Sequence, residues 1–216
     1  MRLLPHVLIA IGLVLPQATD LRARFIGNMG FAITDGIVTL MTDFPYQSGY
    51  SGYMTYAAPE IRSDTDITIA LITHRHADHW EPALFQRTNW NVIGPSDVVS
   101  GIAPERRLIP GRVPSAGLRI EALETPHAGI GHYSYLVTWH GRRLYFTGDT
   151  ESLDALMATK NIDVAFVSPW LYAAALKSGQ TIAARRIVIY HHQAGEKIPQ
   201  CTGTCLVPHQ GDRLRF

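Results

Sequence analysis

Short apolar runs rich in β-branched residues recur along the chain between clusters of Gly, Pro, Asn and Asp, a spacing that predicts many strands and few helices. Residues 24–33 and 37–42 read as the two arms of a hairpin, with Thr34-Asp35-Gly36 as the turn. Residues 44–56 are rich in Gly, Ser and Tyr, keep neither a strand nor a helix period, and read as a loop. Residues 67–73 are almost continuously apolar, the pattern of a strand covered on both faces. Next come a predicted short helix over 81–87, a strand over 91–93 and a helix over 96–102 with Ser96 as its cap. The Pro- and Gly-rich stretch 104–117 reads as a surface loop. Strands follow over 118–124, 132–139 and 142–146, the last two joined at His140-Gly141. The rest of the pattern predicts helices over 152–159 and 181–185, strands over 163–167 and 187–190, and edge strands at 206–207 and 213–216. Strands first, then strands mixed with helices, imply an α/β (α+β) chain of two packed sheets with helices outside.

Composition narrows the class. A chain of 216 residues suits one domain with a sizeable core. With 46% apolar and 17% charged residues it has the makeup of a folded protein. Lys and Arg number 19 and Asp and Glu 18, which leaves no electrostatic footprint for nucleic acid while keeping a small charged substrate open. Arg2, the apolar run 7–15 and Pro16-Gln17-Ala18 stand in the order of a signal peptide. Residues 1–18 are therefore expected to direct export to the periplasm or medium, leaving a single domain over 22–216. A buried first strand or helix, in a protein that stays cytoplasmic, is the alternative. The run is too short to span a bilayer and no Cys follows it, so no stable membrane anchor is expected. Cys201 and Cys205 are the only cysteines; export would permit a disulfide, the alternatives being free thiols or a metal site with His209. The oligomeric state is left open.

The candidate chemistry gathers after the apolar strand, in Thr73-His74-Arg75-His76-Ala77-Asp78-His79-Trp80. Neutral imidazole and carboxylate are natural donors for zinc and similar divalent ions. In extended backbone, residues two apart project to one side, so His74 and His76 can reach one ion. Once the chain bends, Asp78 and His79 can face a second. Three more ligand-type segments follow apolar strands: His127 after 118–124, Asp149 after 142–146, and the pair His191-His192 after 187–190. Each alone has a bland reading, as a loop histidine, a helix cap or a surface pair. Four strand ends offering ligands together point to one metal centre.

His-x-His-x-Asp-His, then a lone His, then Gly-Asp, then a His after a strand, resembles the metallo-β-lactamase superfamily over essentially the whole of residues 22–216. Gly27-Asn28-Met29-Gly30-Phe31 and Thr42-Asp43 also look like the opening strands of its members. The resemblance implies a four-layer αβ/βα sandwich with two metal ions at one edge. It implies His74, His76 and His127 on the first ion, Asp78, His79 and a last His on the second, and Asp149 between them. For that last ligand the family pattern favours His191, leaving His192 behind the ligands or facing substrate. The namesake β-lactamases lack the bridging aspartate, so Asp149 makes the sequence look closer to lactonase, thioesterase and phosphodiesterase branches. The implied cofactor is a pair of divalent ions, zinc first, with manganese or iron as alternatives. The implied reaction is attack by a metal-bridging hydroxide, with Asp78 and Asp149 as the catalytic carboxylates and no covalent enzyme intermediate.

Tyr46, Tyr50 and Tyr53 in the loop after Asp43, with Trp80, Trp170 and Tyr172 near strand ends, are expected to wall a substrate pocket or pack loops onto the core. His132 and His140 read as structural. The leading expectation is hydrolysis of a small-molecule ester, lactone, thioester or amide. The alternatives are phosphodiester hydrolysis, iron-dependent oxygen or sulfur chemistry on the same ligands, and a metal-binding module without turnover.

Overall fold

The computed structural model describes residues 20–44, 48–49, 52–57, 61–111, 113, 115 and 117–216. The expected signal segment 1–18, Tyr46 and Tyr50 lie outside the described residues. Strands β1 (Arg22–Gly27), β2 (Gly30–Thr34), β3 (Val38–Thr42), β4 (Ile67–Leu71), β5 (Asn91–Ile93) and β12 (Arg213–Arg215) form one sheet in the order β12-β1-β2-β3-β4-β5. The second sheet runs β11-β10-β9-β8-β7-β6, from β6 (Leu118–Glu124), β7 (Tyr133–Trp139), β8 (Arg142–Phe146), β9 (Ile162–Val167), β10 (Ala184–Ile189) and β11 (Cys205–Leu206).

Alternation along each strand sorts side chains into layers. Phe31, Leu40, Ile69 and Leu71 of the first sheet meet Val137, Leu144, Phe146, Phe166 and Val188 of the second in the central core. Phe166 stacks on Phe146 at 4.4 Å between ring centroids and meets Phe31 edge-on at 5.0 Å. The intervening residues point outward: Ala32, Met41, Ala70 and Ile72 lie beneath α1 (Pro82–Phe85) and α2 (Ser96–Val99). Leu136, Tyr145, Ala165 and Val167 lie beneath α3 (Asp154–Ala158) and α4 (Pro169–Lys177). The result is the four-layer αβ/βα sandwich.

Four local expectations are corrected. The predicted arm 24–33 is two strands, because Asn28, at φ 50°, turns the chain between β1 and β2. Ser96 is the first residue of α2 rather than its cap; Pro95 holds the cap position and no side chain caps it. Residues 181–185 are not helical; Ala184 already pairs with Ile162 as β10 runs parallel to β9. The pattern missed α4, whose Trp, Leu, Tyr and Ala residues are apolar nearly all round and so carry no helical period. Its start is marked by Pro169 in the first turn.

These pairings also set up the site. β3, β4 and β5 run parallel, as do β8, β9, β10 and β11. Their C-terminal ends open at one edge of the sandwich, where unpaired loop backbone can present side chains.

Candidate metal centre

Two groups of side chains meet at that edge: His74, His76 and His127 in one, and Asp78, His79, Asp149 and His191 in the other. The 74–79 segment serves both because it turns tightly after His76, whose carbonyl accepts the N–H groups of His79 at 2.9 Å and Trp80 at 2.8 Å. His74 and His76 therefore stay on one side of the turn while Asp78 and His79 swing to the other.

In the first group, His74 Nε2 lies 2.9 Å from His76 Nδ1, which lies 3.3 Å from His127 Nε2. In the second, His79 Nε2 lies 3.2 Å from His191 Nε2, 3.4 Å from Asp78 Oδ2 and 3.3 Å from Asp149 Oδ2. His191 Nε2 lies 3.3 Å from both of those carboxylate oxygens. These are five of the six edges of a tetrahedron, and one with edges of about 3.3 Å has its centre about 2.0 Å from each corner, the length of a zinc–nitrogen bond. Asp149 Oδ1 is buried with no hydrogen-bond partner, as an atom reserved for a cation would be. Each of the two groups thus has the donor types that fit a divalent ion.

Burial and charge act differently on the two groups. Burial, reinforced by the positive charge near His79, pushes His74 far below the usual imidazole range, so it offers a lone pair. Burial likewise lowers His127, and brings His132 down to about 3. Around the second group burial works against every charge, yet the carboxylates and imidazoles stabilise one another. Hydrogen bonds from His191 and His79 hold Asp78 below the usual carboxylate range, and the charges of His79 and His191 hold Asp149 well below it. Asp149 and Asp43 in turn raise His79 well above the ordinary imidazole value, and Asp149 raises His191.

Three residues outside the predicted set hold the ligands in place. Asp43 Oδ2 lies 3.4 Å from His79 Nδ1 and fixes the tautomer that leaves Nε2 facing the centre. The Thr73 N–H and hydroxyl donate to Asp43 Oδ1 at 2.6 and 2.9 Å, so this buried carboxylate is fully tied. Asn28 donates from Nδ2 to the Asp78 carbonyl at 3.0 Å, and its backbone carbonyl accepts the His191 N–H at 2.7 Å. His132 accepts the Asp149 N–H at Nε2, 2.9 Å away, and its ring packs so closely on Gly148 that a Cβ there would collide with it. Asp43 could have been suspected from sequence, since it too follows an apolar strand; nothing in the local pattern marks His132.

The structure separates the two candidates for the last position. His191 has φ 58°, and this left-handed turn aims its ring at Asp78 and Asp149. His192 turns the other way, stacks on Phe25 at 5.5 Å and donates from Nδ1 to the Gln193 carbonyl at 3.0 Å. It is buried there, away from a substrate-facing position. Trp80, expected either to wall a pocket or to pack on the core, does the second: its ring lies 4.3 Å from that of Phe85. Tyr172 is buried and donates to the Gln200 carbonyl at 3.1 Å. Trp170 and Tyr53 do flank the centre, each edge-on to His191, at 4.9 and 4.8 Å. A cleft of about 320 Å³ beside the centre is lined by His127, Asp149, Glu151, Trp170 and Ala174. A hollow of about 970 Å³ lies at the opposite end around His140 and Arg185, remote from this chemistry.

The family model of the beta-lactamase superfamily domain matches residues 51–198. No curated protein sequence matches the chain. Among solved structures, the chain is similar to a putative metal-dependent hydrolase from Parabacteroides distasonis, with 23% identity over 82% of this chain and 84% of that one and a TM-score of 0.59. It is similar to the metallo-beta-lactamase fold protein YhfI from Bacillus subtilis, with 13% identity, 92% and 100% coverage and a TM-score of 0.66. A third, the metallo hydrolase Igni18 from Ignicoccus hospitalis, has 17% identity, 92% and 99% coverage and a TM-score of 0.66.

Proposed function

The chain belongs to the β-lactamase superfamily, and from that membership we propose that it hydrolyses a small-molecule ester, lactone, thioester or amide at a centre of two divalent cations. The observation that carries this reading is the double cluster itself, seven donor groups converging in two sets from four segments of the chain. His74, His76 and His127 would hold one cation, Asp78, His79 and His191 the other, with Asp149 reaching both. Zinc suits this imidazole and carboxylate set best, and manganese or iron are the alternatives. Bound there, the ions would supply an acidified water and Lewis-acid polarisation of the substrate carbonyl.

The chain's own residues supply the rest. Asp43 and Asn28 fix the orientation of His79 and His191, so the ligand geometry exists before substrate arrives. Asp78, kept ionised by His79 and His191, is the group placed to accept the proton of the attacking water and return it to the leaving group as the acyl bond breaks. Trp170 and Tyr53 wall the centre and exclude bulk water. Carbonyl substrates are favoured over phosphodiesters because the cleft beside the centre carries Glu151 and no Lys or Arg among the described residues. Arg75, the nearest cation in sequence, is engaged by Asp97 at 3.0 Å. A small molecule is thus the proposed partner, with no role for nucleic acid. Export belongs to the proposal too, since the disulfide between Cys201 and Cys205 suits an oxidising compartment.

The test is a hydrolysis panel of esters, lactones, thioesters, amides and phosphodiesters on chain stripped of metal and reloaded with zinc, manganese or iron. Two ions per chain by elemental analysis, with carbonyl hydrolysis lost in chelator, is the expected outcome. Full turnover after metal removal, or turnover of phosphodiesters alone, would overturn it.

A further inference from the structure

We propose that the substrate carries an unbranched apolar tail, and that this tail lies along the outer face of α4; the inference rests on the hydrolase reading above and narrows its substrate class. The tail's site is an apolar groove of about 370 Å³ between α4 and residues 196–199. Trp170, Ala173 and Leu176 form one side, and Lys197, Ile198 and Pro199 the other. It is not an isolated surface feature. Trp170 lines both this groove and the cleft that holds His127 and Asp149. Ala173 lines the groove and Ala174 the cleft, so the two spaces lie on neighbouring positions of the same helix.

The groove is built as a binding surface is. Trp170 and Leu176 are 37% and 38% exposed, large apolar side chains that a solvated helix face would normally replace with polar ones. Trp170 is nonetheless held in place: its indole N–H points at the Thr150 carbonyl at 3.4 Å while its ring edge meets His191. The opposite wall is also fixed before any ligand arrives. The Tyr172 hydroxyl donates to the Gln200 carbonyl at 3.1 Å, the Gln193 N–H donates to Glu196 Oε2 at 2.9 Å, and the disulfide between Cys201 and Cys205 closes the segment behind it. A preformed wall removes the ordering cost that weakens binding to a mobile surface.

Shape sets the kind of tail. From Pro169 to Leu176 the helix rises about 10 Å, a length along which a straight alkyl or acyl chain can lie. Glu196 and Lys197 also line the groove, where their stems extend its apolar surface. A carbonyl group held at His127 and Asp149 would direct its tail past Trp170, which lines both spaces, into this groove.

The experiment measures binding apart from turnover. Straight-chain carboxylates from butanoate to decanoate are titrated calorimetrically into the metal-loaded full chain and into the metal-stripped chain. Affinity is expected to rise about two- to fourfold per added methylene. Ala173→Arg, at an exposed helix position, fills the groove and should flatten that series, while Ile37→Asp, a control on a distant turn, should leave it unchanged. Circular dichroism shows that both variants fold, and Leu176→Asp serves in place of Ala173→Arg if that variant does not. A flat series in the wild-type chain, or an equally steep one in the groove variant, would overturn the tail proposal. Hydrolysis of short acetyl esters accompanied by a flat series would overturn it and leave the hydrolase reading intact. A steep, Ala173-dependent series without hydrolysis of any ester, lactone, thioester or amide would instead refute the hydrolase reading and keep the groove.

Discussion

The two ends of the sandwich use the same residue types for opposite purposes. At the far end, His140 from the β7–β8 turn lies 2.8 Å from Asp35 of the β2–β3 turn, one imidazole to one carboxylate. Asp35 also accepts the N–H groups of Ile37 and Val38 at 2.8 and 2.9 Å, so nearly every lone pair has a donor. At the other end nitrogen faces nitrogen: His74 to His76 at 2.9 Å and His79 to His191 at 3.2 Å. A neutral imidazole has one proton to give, and two of these rings already turn their far nitrogen to another partner, His74 to the Thr73 hydroxyl and His79 to Asp43. A matched pair therefore stabilises the fold, whereas a surplus of converging acceptors stabilises only when a cation arrives. The contrast marks one end as structural and the other as chemical without any knowledge of substrate.

The largest effects should come from unbalancing the chemical end. His76→Ala or Asp149→Asn should lower turnover by about 10³-fold and reduce bound metal together, read by kinetics and elemental analysis on one sample. Normal activity with full metal in either variant would erase the distinction between the two ends. Asp43→Asn keeps the acceptor for Thr73 but removes the charge that orients His79. It should weaken metal affinity by about 10- to 100-fold in a chelator competition while the melting temperature of the metal-free chain changes little.

At the structural end the effects are smaller and appear in stability. Asp35→Ala or His140→Ala should lose about 1–2 kcal/mol in urea unfolding with metal content unchanged. The pH dependence follows from the Asp35 carboxyl. Burial opposes its charge, but the Val38 N–H, His140 and the Ile37 N–H hold it below the usual value. Its contribution is complete above the unfolded carboxyl value of about 4 and is lost as pH falls through the lower folded value. Acid unfolding of Asp35→Ala should therefore lack that increment. Smallest of all, Arg75→Ala should change stability by no more than about 0.5 kcal/mol, because its pair with Asp97 is solvent-exposed. A large loss of metal in that variant would show that the motif's charge, as well as its ligands, matters to the centre.

Much of the centre was legible from the chain because its ligands follow strands whose apolar runs are strong. His74, Asp149 and His191 could be placed at strand ends from local pattern alone. Strand boundaries near turns were less legible: Asn28 breaks the predicted first arm through a backbone angle that residue type only weakly favours. α4 leaves no signal because an apolar face on every side carries no period, and which of Trp80's two expected roles holds, pocket wall or core packing, depends on its contact with Phe85.

The sequence by itself determined which donors exist, their order and the strand ends that carry them, because alternation and residue chemistry are local properties. Only the tertiary structure decided which donors meet. His79 and His191 are 112 residues apart and His76 and His127 are 51 apart, so their contact depends on how the two sheets stack. It also decided that His191 faces the centre while His192 faces Phe25, since one left-handed φ sends adjacent and chemically identical rings in opposite directions. Asp43, Asn28 and His132 acquired their roles for the same reason: a residue that orients a ligand is defined by its contacts across the fold, and those contacts leave no periodic trace in the chain.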